Sequence, residues 1–276
     1  MPHKEEFASS FTCKKPRITP QTWVDKHRYE RAFESVIEAI KSGDTYLLNL
    51  SFPTPVILEG SFEEVFYASD APFKCCIKNK FVCFSPERFV KMENNTIRTY
   101  PMKGTIDASI ENAKELILSD EKEMAEHVMV VDLLRNDLSM VAKKVRVEKF
   151  RYIEKFKAGE KELLHVSSEI VGDLEDKWHE NIGDIISRLL PAGSISGTPK
   201  RSSVEIIHRL EGYERGYFTG IFGVYDGTVL DSGVMIRFLE QTPQGVVFKS
   251  GGGITLLSEM QKEYDELCAK VYIPVH

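Results

Sequence analysis

The hydrophobic and polar positions of this chain follow two different periods along its length. In some segments the apolar residues recur every three or four positions, which is the spacing of a helix that packs one face on a core. In others they form short apolar or alternating runs between Asn, Gly or Lys-Asn-Lys breaks, which predicts strands and hairpin turns. The predicted helices cover residues 29–44, 110–134, 181–190, 199–212 and 258–270. The predicted strands cover residues 45–52, 74–79, 80–85, 88–93, 96–100, 144–150, 163–174, 217–227, 228–240 and 245–254.

The order of these elements predicts an α+β fold. Strands come in consecutive runs separated by pairs of helices, whereas a doubly wound sheet would alternate strand and helix strictly. The sequence contains no internal repeat, low-complexity tract or linker rich in Pro, Gly and Ser. We therefore predict one continuous domain over residues 19–276, preceded by a loose N-terminal arm over residues 1–18.

Composition and charge narrow the classes of partner. The formal net charge of -6 disfavours a nucleic acid or an anionic membrane surface, although local cations could still bind a small anion. The N-terminus has no apolar segment typical of a signal peptide, and no apolar stretch reaches membrane length. The five cysteines lack metal-binding spacing and include an adjacent pair, which predicts a reducing, cytoplasmic setting. They are Cys13, Cys75, Cys76, Cys83 and Cys268.

The segment "PAGSISGTPK", residues 191–200, is a candidate anion-binding loop. Gly193 and Gly197 permit close backbone approach, and Thr198 followed by Pro199 suits the start of a helix. A helix N-terminus favours an anion in front of it. The alternative is a plain capped helix after a tight loop.

Two predicted helices carry carboxylates at matching spacing. Glu123 and Glu126 share one helix face, and Glu263 and Glu266 share another, with Lys270 one turn further along. If the helices meet, these carboxylates could surround a hard cation such as Mg²⁺. The alternative is that both faces are solvated and salt-bridged.

Two single residues are candidates for acid, base or nucleophile chemistry. Glu87 follows Pro86 at the entry to a strand, where partial burial would suit a general acid, although a surface glutamate is the simpler interpretation. Lys103 in "YPMKGT" follows a strand-like run and precedes a Gly-Thr turn. Held inside a cleft it could be a nucleophile, and on a surface turn it would mean little.

Three further features could face a ligand or could be structural. The "SGGGI" segment, with Gly252 and Gly253, suggests backbone packed against a ligand or a strand bulge. Arg237 lies among apolar residues in a predicted strand, and a buried arginine needs an anionic partner, which could be a protein carboxylate or a ligand. His165 in "LLHVSSEI" could line a pocket or belong to the core.

Four segments together resemble the signature blocks of chorismate-utilising enzymes, which include anthranilate, aminodeoxychorismate, isochorismate and salicylate synthases. They are "YPMKGT", "AEHVMVVDLLRNDL", "PAGSISGTPK", and "SGGGI" followed by "KEYDELCAK". The resemblance extends from Arg28 to Lys270. It implies a large α+β sandwich of two mainly antiparallel sheets flanked by helices.

Position 103 separates the activities within that family. Aminodeoxychorismate synthases resemble this chain in having lysine there, whereas anthranilate and isochorismate enzymes usually have alanine. The resemblance implies that Mg²⁺ holds the ring carboxylate of chorismate and that Lys103 adds at C2 while the C4 hydroxyl leaves. Glu87 would protonate the leaving group, and ammonia would then attack C4 as the lysine departs. A neutral amine at position 103 is required for the attack.

The resemblance also implies roles for the other candidate residues. Glu126 and Glu266 match metal ligands, and Glu123 and Glu263 match supporting carboxylates. The residues that match substrate-binding positions are Thr105, His165, Gly193, Ser194, Phe218, Arg237, Gly252, Gly253 and Lys270. The implied cofactor is Mg²⁺, the substrate chorismate, and the partner a glutamine amidotransferase subunit that supplies ammonia.

Two departures from the family pattern affect these expectations. Leu47 and Leu48 stand in a segment where isochorismate-type enzymes place a water-activating lysine, which weakens that alternative. The expected tyrosine that touches the pyruvyl carboxylate aligns with Phe218, and Tyr217 lies one residue early, so that on a strand it would face the other way. The remaining alternatives are anthranilate synthase component I and a non-catalytic relative. The leading hypothesis is synthesis of 4-amino-4-deoxychorismate for para-aminobenzoate and folate.

Overall fold

The protein consists of two antiparallel β-sheets with helices packed around them. The structure is a computed structural model, and it describes residues 15–158 and 161–275. Each sheet has seven strands. The predicted α+β sandwich of two mainly antiparallel sheets is therefore confirmed.

The first sheet is built around one long strand near the N-terminus. Its strands follow the order β1-β2-β14-β13-β4-β3, and the short β10 pairs with the start of β2. Every pairing is antiparallel. The bounds are Arg17–Pro20 (β1), Leu47–Glu59 (β2), Phe73–Ile77 (β3), Phe81–Ser85 (β4), Gly197–Thr198 (β10), Phe238–Thr242 (β13) and Gly245–Ile254 (β14).

The second sheet is organised around β9, which pairs with β6 and β7 along one edge and with β8 along the other. The order from the opposite end is β11-β12-β5-β6-β9. The bounds are Arg88–Glu93 (β5), Thr96–Thr99 (β6), Met102–Asp107 (β7), Lys143–Ala158 (β8), Lys161–Asp173 (β9), Ile221–Tyr225 (β11) and Leu230–Val234 (β12).

Eight α-helices and a short 3-10 helix, Trp178–Asn181, flank these sheets in the described part of the chain. Side-chain caps fix several of their starts: Asp25 accepts from the backbone of Arg28 at α1, and Ser61 and Glu64 form a capping box at α2. The sequence analysis did not predict α2. The bounds are Lys26–Lys41 (α1), Phe62–Ala68 (α2), Ala113–Ser119 (α3), Glu121–Ser139 (α4), Ile182–Leu189 (α5), Gly193–Ser196 (α6), Lys200–Glu211 (α7) and Met260–Ala269 (α8).

The core divides into clusters on either side of the first sheet. Leu48, Leu50 and Phe52 of β2 pack with α1, α7 and α8 on one side. Leu47 points the other way, into a cluster formed by the second sheet with α4 and α5. The alternation of side chains along a strand produces this division. Full burial of one such side chain contributes about 1.5–3 kcal/mol to folding. Strand β2 and its neighbour β14 therefore lie between two packed layers of side chains.

Three sequence predictions need correction. The predicted helix over residues 110–134 is two helices that meet at Asp120, whose side chain caps α4 by accepting from the backbone of Glu123. The predicted strand over residues 228–240 is also two, because the chain leaves the second sheet after Val234 and enters the first at Phe238. Arg237 at this crossing has a φ of 52°, a left-handed conformation that would interrupt a strand.

The third correction concerns the N-terminal arm. Arg17 and Ile18, which we placed in a loose arm, pair with Glu59 and Leu58 as part of β1. Residues 1–14, which make up the rest of the predicted arm, lie outside the described residues. No helix among the described residues is long and apolar enough to cross a membrane.

Candidate active site

Lys103 lies within β7, one residue from its start, and projects from the second sheet. The pairing of β7 with β9 shifts register between Lys103 and Thr105, so Gly104 forms a bulge. Gly104 has a φ of 82°, and a Cβ there would lie 3.0 Å from Glu123 Oε2. A larger residue would therefore be strained and would crowd α4. The "MKGT" sequence uses glycine to bring the strand close to the carboxylates of α4.

The amine of Lys103 is held by a carboxylate of α4. Its Nζ donates to Oε2 of the buried Glu126 at 2.5 Å. Burial alone would lower the pKa of Lys103, but Glu126, with Glu123 and Glu266, raises it above its ordinary value. In this arrangement Lys103 is an ammonium ion. The neutral amine that the attack on the substrate would require stays a prediction.

Carboxylates from both glutamate-bearing helices act on Lys103. Glu123 and Glu126 lie on α4, and Glu263 and Glu266 lie on α8. Burial raises the pKa of Glu263, and the negative charges of Glu266 and Glu126 raise it further. Such mutual repulsion requires that the carboxylates of the two helices be close together.

Strand β14 lies close to the carboxylates of α8. A Cβ on Gly252 would lie 3.3 Å from Glu263 Oε2 and 3.7 Å from Glu266 Oε1. The neighbouring Gly251 has space for no side chain at all, because a Cβ would lie 2.4 Å from the backbone oxygen of Leu50. The glycines of "SGGGI" therefore serve close packing within the sheet and close approach to the α8 carboxylates.

The donor set suits a divalent cation. Lys270 Nζ lies 2.6 Å from Glu266 Oε1 and donates to the backbone oxygen of Gly251. The four carboxylates thus outnumber the two ammonium groups, Lys103 and Lys270, that pair with them. Oxygen ligands from carboxylates are the kind that Mg²⁺ prefers. Over residues 15–158 and 161–275, however, no three His, Cys, Asp or Glu side chains already stand grouped as a metal site.

Glu87 lies in the connection between β4 and β5, where Ser194 of α6 reaches it. Ser194 Oγ donates to Glu87 Oε1 at 2.8 Å. Burial raises the pKa of Glu87, and the hydrogen bond from Ser194 and the charge of Lys270 only partly oppose that effect. A carboxyl group with a raised pKa keeps its proton to higher pH, as a general acid requires.

The loop at residues 191–200 differs in detail from the prediction. Its backbone N–H at Gly193 bonds the Asp137 carboxylate of α4, and Asp137 also lies 3.0 Å from Lys200 Nζ. This N–H is therefore engaged within the protein and is not directed at a substrate. Thr198 is not the helix cap, because it pairs with Leu47 in β10 and α7 begins only at Lys200.

Two adjoining cavities meet at Lys103. The larger, of about 800 Å³, is lined by Thr105, His165 and Arg237 together with Glu123 and Glu266. The smaller, of about 120 Å³, is more enclosed and is lined by Glu87, Ser194 and Gly253 together with apolar residues including Leu47 and Val130. Met102 and Lys103 line both cavities. The lysine thus stands between the carboxylates of the outer cavity and the candidate acid of the inner one.

Of the predicted binding residues His165 and Phe218, only His165 lines one of these two cavities. His165 lines the larger cavity, with Nε2 3.1 Å from Glu154 Oε2. Phe218 is 4 % exposed and packs with Phe238 and Met235. It lies in a turn before β11, so the argument that it and Tyr217 face opposite sides of a strand does not hold. Phe218 offers no polar group to the cavities.

The sequence analysis missed the residues that complete the cavity walls. The larger cavity is also lined by Asp70, Pro72, Tyr272, Pro274 and Val275, from a loop and the C-terminal segment. The alternation of Val271, Tyr272 and Ile273 was a signal, but it extends over too few residues to be recognised. The cysteines that the structure describes are free thiols, and burial raises the pKa of Cys76 to about 11, which makes it a poor nucleophile at neutral pH. Cys13 lies outside the described residues.

Comparisons with known proteins agree with this geometry. The family model described as chorismate binding enzyme matches residues 5–275. An uncharacterized PabA-like protein of Pasteurella multocida is 51% identical over 252 residues, which cover 91% of this chain and 78% of that protein. Aminodeoxychorismate synthase component 1 of Salmonella typhimurium is 33% identical over 272 residues, which cover 93% of this chain and 58% of that protein.

Solved structures show the same fold. Anthranilate synthase component I from Streptococcus pneumoniae TIGR4 superposes with a TM-score of 0.77 at 27% identity, covering 93% of this chain and 59% of that chain. The present chain therefore spans somewhat more than half of the longer relatives. These similarities extend to enzymes of more than one activity, so the choice between activities depends on individual residues.

Proposed function

We propose that this chain, which belongs to the family of chorismate binding enzymes, converts chorismate and ammonia to 4-amino-4-deoxychorismate. That it is a chorismate-utilising enzyme follows from the family. The specific reaction is supported by one observation. Lys103 stands between the two cavities, with its amine against Glu126 and facing the charged cluster that α4 and α8 form. A lysine in that position can form a covalent bond to a substrate ring that spans both cavities.

The proposed reaction begins when the Lys103 nitrogen forms a bond to C2 of the ring. Both ring double bonds shift, to C1=C6 and C4=C5, and the C4–O bond breaks. Glu87 donates its proton to the departing hydroxyl, which leaves as water. Ammonia then forms a bond to C4, both double bonds shift back, and the C2–N bond to Lys103 breaks. Glu87 suits the acid role because burial raises its pKa, so that the carboxyl keeps its proton to higher pH than an exposed carboxyl would.

Lys103 must lose a proton before it attacks. Burial favours the neutral amine, and the carboxylates of Glu126, Glu123 and Glu266 oppose that effect. The amine therefore becomes reactive as those carboxylates take other partners. Glu126 and Glu266, with Glu123 and Glu263 in support, would hold Mg²⁺, which when bound supplies positive charge that orients and polarises a substrate carboxylate.

Ammonia would be supplied by a glutamine amidotransferase subunit. The thiols of Cys75, Cys76, Cys83 and Cys268 all have raised pKa values, so none of these is an activated nucleophile of the kind a glutaminase needs. The product would serve para-aminobenzoate and folate synthesis.

Product identification tests the proposal. Purified protein is incubated with chorismate, Mg²⁺ and ammonium salt, and the products are separated and identified by mass. We expect 4-amino-4-deoxychorismate. Anthranilate or isochorismate as the main product would reject the assignment, and unchanged chorismate would reject catalysis with free ammonia.

A further inference from the structure

Asp137 is a buried carboxylate of α4 that the proposed reaction does not use. It is 6 % exposed and lies about three helical turns beyond Glu126, so that both carboxylates face the same side of α4. Burial raises the pKa of Asp137, and Lys200 and the backbone N–H of Gly193 only partly oppose that rise. These two groups both belong to residues 190–200, which follow α5 and contain α6.

The Asp137 carboxylate ties the two ends of this segment together. Lys200 Nζ lies 3.0 Å from Asp137 Oδ1 and donates to the backbone oxygen of Leu189 at 2.7 Å. At the other end, the backbone of Gly193 lies so close to Asp137 that a Cβ there would be 2.8 Å from Oδ2. A larger residue would therefore have to displace either the carboxylate or α6.

Helix α6 is too short to fix the position of its own side chains. It consists of Gly193–Ser196, and a single helical turn is unstable by itself in water. Ala192 and Ile195 pack in the apolar cluster with α4, but apolar contacts are not directional. Directional ties come from Asp137 at the first residue of α6 and from Arg215, whose Nη1 donates to the Ile195 oxygen at 3.0 Å.

Ser194 lies between these two ties and contacts the candidate acid. Its Oγ donates to Glu87 Oε1 at 2.8 Å, and both residues line the smaller cavity. A displacement of α6 by about 1 Å would take the hydroxyl out of hydrogen-bond distance. The geometry at the acid therefore depends on where α6 is held.

We propose that Asp137 is a positioning residue for Glu87. Through the backbone of Gly193 it holds α6 at the place where the Ser194 hydroxyl donates to the Glu87 carboxyl. This inference rests on the proposed function, because it concerns the acid of that reaction. Asp137 lines neither of the two cavities, so its effect on the reaction passes through α6.

Cations near Glu87 are held by groups outside α6. Lys270 and Lys103 pair with carboxylates of α8 and α4, and Arg88 pairs with a carboxylate of β12. Lys103 and Arg88 line the smaller cavity with Glu87, and the charge of Lys270 lowers the pKa of Glu87. A displacement of α6 would therefore remove the hydrogen bond from Ser194 and leave these charges where they are.

The pH dependence of kcat tests this role. In Ser194→Ala the alkaline limb should move to higher pH by about 0.5–1 unit, because the hydrogen bond that favours the ionised carboxyl is lost. Asp137→Asn should move the limb in the same direction and by no more. The double variant should match Ser194→Ala. Asp132→Asn is the control and should match the parent protein, since Asp132 is an exposed residue of α4 that pairs with Arg135.

Gly193→Ala separates the position of α6 from the charge of Asp137. It keeps both Asp137 and Lys200, so no charge is left buried without its partner. The added methyl group would crowd the carboxylate and displace α6. The limb should move to higher pH as in Asp137→Asn. Thermal unfolding scans show which variants fold, and Gly193→Ala decides the matter if Asp137→Asn does not.

Crystal structures of the folded variants give a readout that does not depend on the product. We expect the distance from Ser194 Oγ to Glu87 to exceed about 3.5 Å. An unchanged distance would overturn the inference, as would a limb that stays in place or moves to lower pH, additive shifts in the double variant, or an equal shift in Asp132→Asn. Failure of the proposed function is distinguishable, because the product formed by the parent protein decides it.

Discussion

Two clusters of charged side chains lie against strands β2 and β14, and they differ in how completely their charges are matched. One joins Lys103 to the carboxylates of α4 and α8. The other joins Glu211 at the end of α7 to Arg215 in the turn that follows. Both contain a short ion pair, so the presence of an ion pair alone does not distinguish them.

In the Glu211 cluster, the carboxylate and the guanidinium are paired with each other and with other groups of the protein. The Glu211 carboxylate is 0 % exposed and accepts hydrogen bonds from the backbone and hydroxyl of Ser51 and from two nitrogens of Arg215. Arg215 donates further to the backbone oxygens of Ile195 and Asn49. One negative and one positive charge balance, and each group has several partners. Such a network ties β2, α6 and α7 together and leaves nothing for a ligand.

In the Lys103 cluster, by comparison, the negative and positive charges are not matched in number. Its carboxylates outnumber its ammonium groups, burial raises the pKa of Glu263, and the side chains border a cavity. A structure gains no stability from gathering like charges. The balanced cluster therefore suits a role in maintaining the fold, and the unbalanced one suits the binding of substrate and a divalent cation that we propose.

Replacing Lys103 should have the largest effect. Lys103→Ala and Lys103→Arg should each reduce formation of 4-amino-4-deoxychorismate about a thousandfold or more, because neither side chain can form the covalent bond. The arginine variant keeps a positive charge beside Glu126 and should remain folded. The assay measures product by chromatography, and chorismate binding by calorimetry serves as the control. Substantial activity in either variant would remove the covalent step from the account.

Breaking the balanced cluster should affect stability and not chemistry. Glu211→Ala leaves the Arg215 charge buried without its carboxylate, which should lower the free energy of unfolding by about 3–5 kcal/mol. Urea denaturation followed by circular dichroism measures this change. The exposed pair of Arg201 and Glu205 on the same helix provides the control, since Glu205→Ala should cost less than about 1 kcal/mol. Equal losses in the two variants would contradict the structural role of the Glu211 cluster.

Removing one carboxylate from the unbalanced cluster should change the metal requirement. Glu126→Gln and Glu266→Gln should each raise the Mg²⁺ concentration for half-maximal activity about 10- to 100-fold, because each loses a charged oxygen ligand. Activity titrated with Mg²⁺ gives this value directly. Glu205→Gln on the exposed face of α7 should titrate like the parent protein. An unchanged titration in both site variants would mean that these carboxylates are not ligands.

The smallest expected effect concerns the pH dependence of the acid. Glu87 is active while protonated, so activity should fall as the pH rises through its pKa. The hydrogen bond from Ser194 lowers that pKa, and Ser194→Ala should therefore move the alkaline limb of the kcat profile to higher pH. Ser196→Ala is the control, because Ser196 Oγ donates to Ala192 O in the same short helix. A limb that stays in place, or moves to lower pH, would contradict the role of Glu87.

Local patterns predicted the elements that are regular and missed those set by long-range packing. The strand over residues 88–93 and the strand over residues 245–254 were predicted with the bounds that the structure shows, because turns delimit both. The crossing between sheets near Arg237 lies inside an uninterrupted apolar run, which local periodicity interprets as one strand. The left-handed conformation there is imposed by two sheets that the local sequence does not reveal.

The candidate site shows the same limit. The spacing of Glu123 with Glu126 predicted a shared helix face, a signature block identified Lys103, and the position of Glu87 at a strand entry made it a candidate. The charge state of Lys103 could not be predicted, since it depends on burial, on Glu126 and Glu123 of α4, and on Glu266, which α8 brings from a distant part of the sequence. Tyr272 was missed for a similar reason, because its place at the cavity wall depends on how the C-terminal segment packs against the first sheet.

The most direct test of the central claim is a search for the covalent bond between Lys103 and the substrate. The protein is mixed with chorismate and Mg²⁺ without ammonia, quenched in acid, and analysed by intact mass followed by peptide mapping. The account predicts a species heavier by the mass of chorismate less one water, located on the peptide that contains Lys103 and absent from Lys103→Arg. Rapid formation of 4-amino-4-deoxychorismate when ammonia is present, with no such species in its absence or with the adduct on another residue, would contradict it.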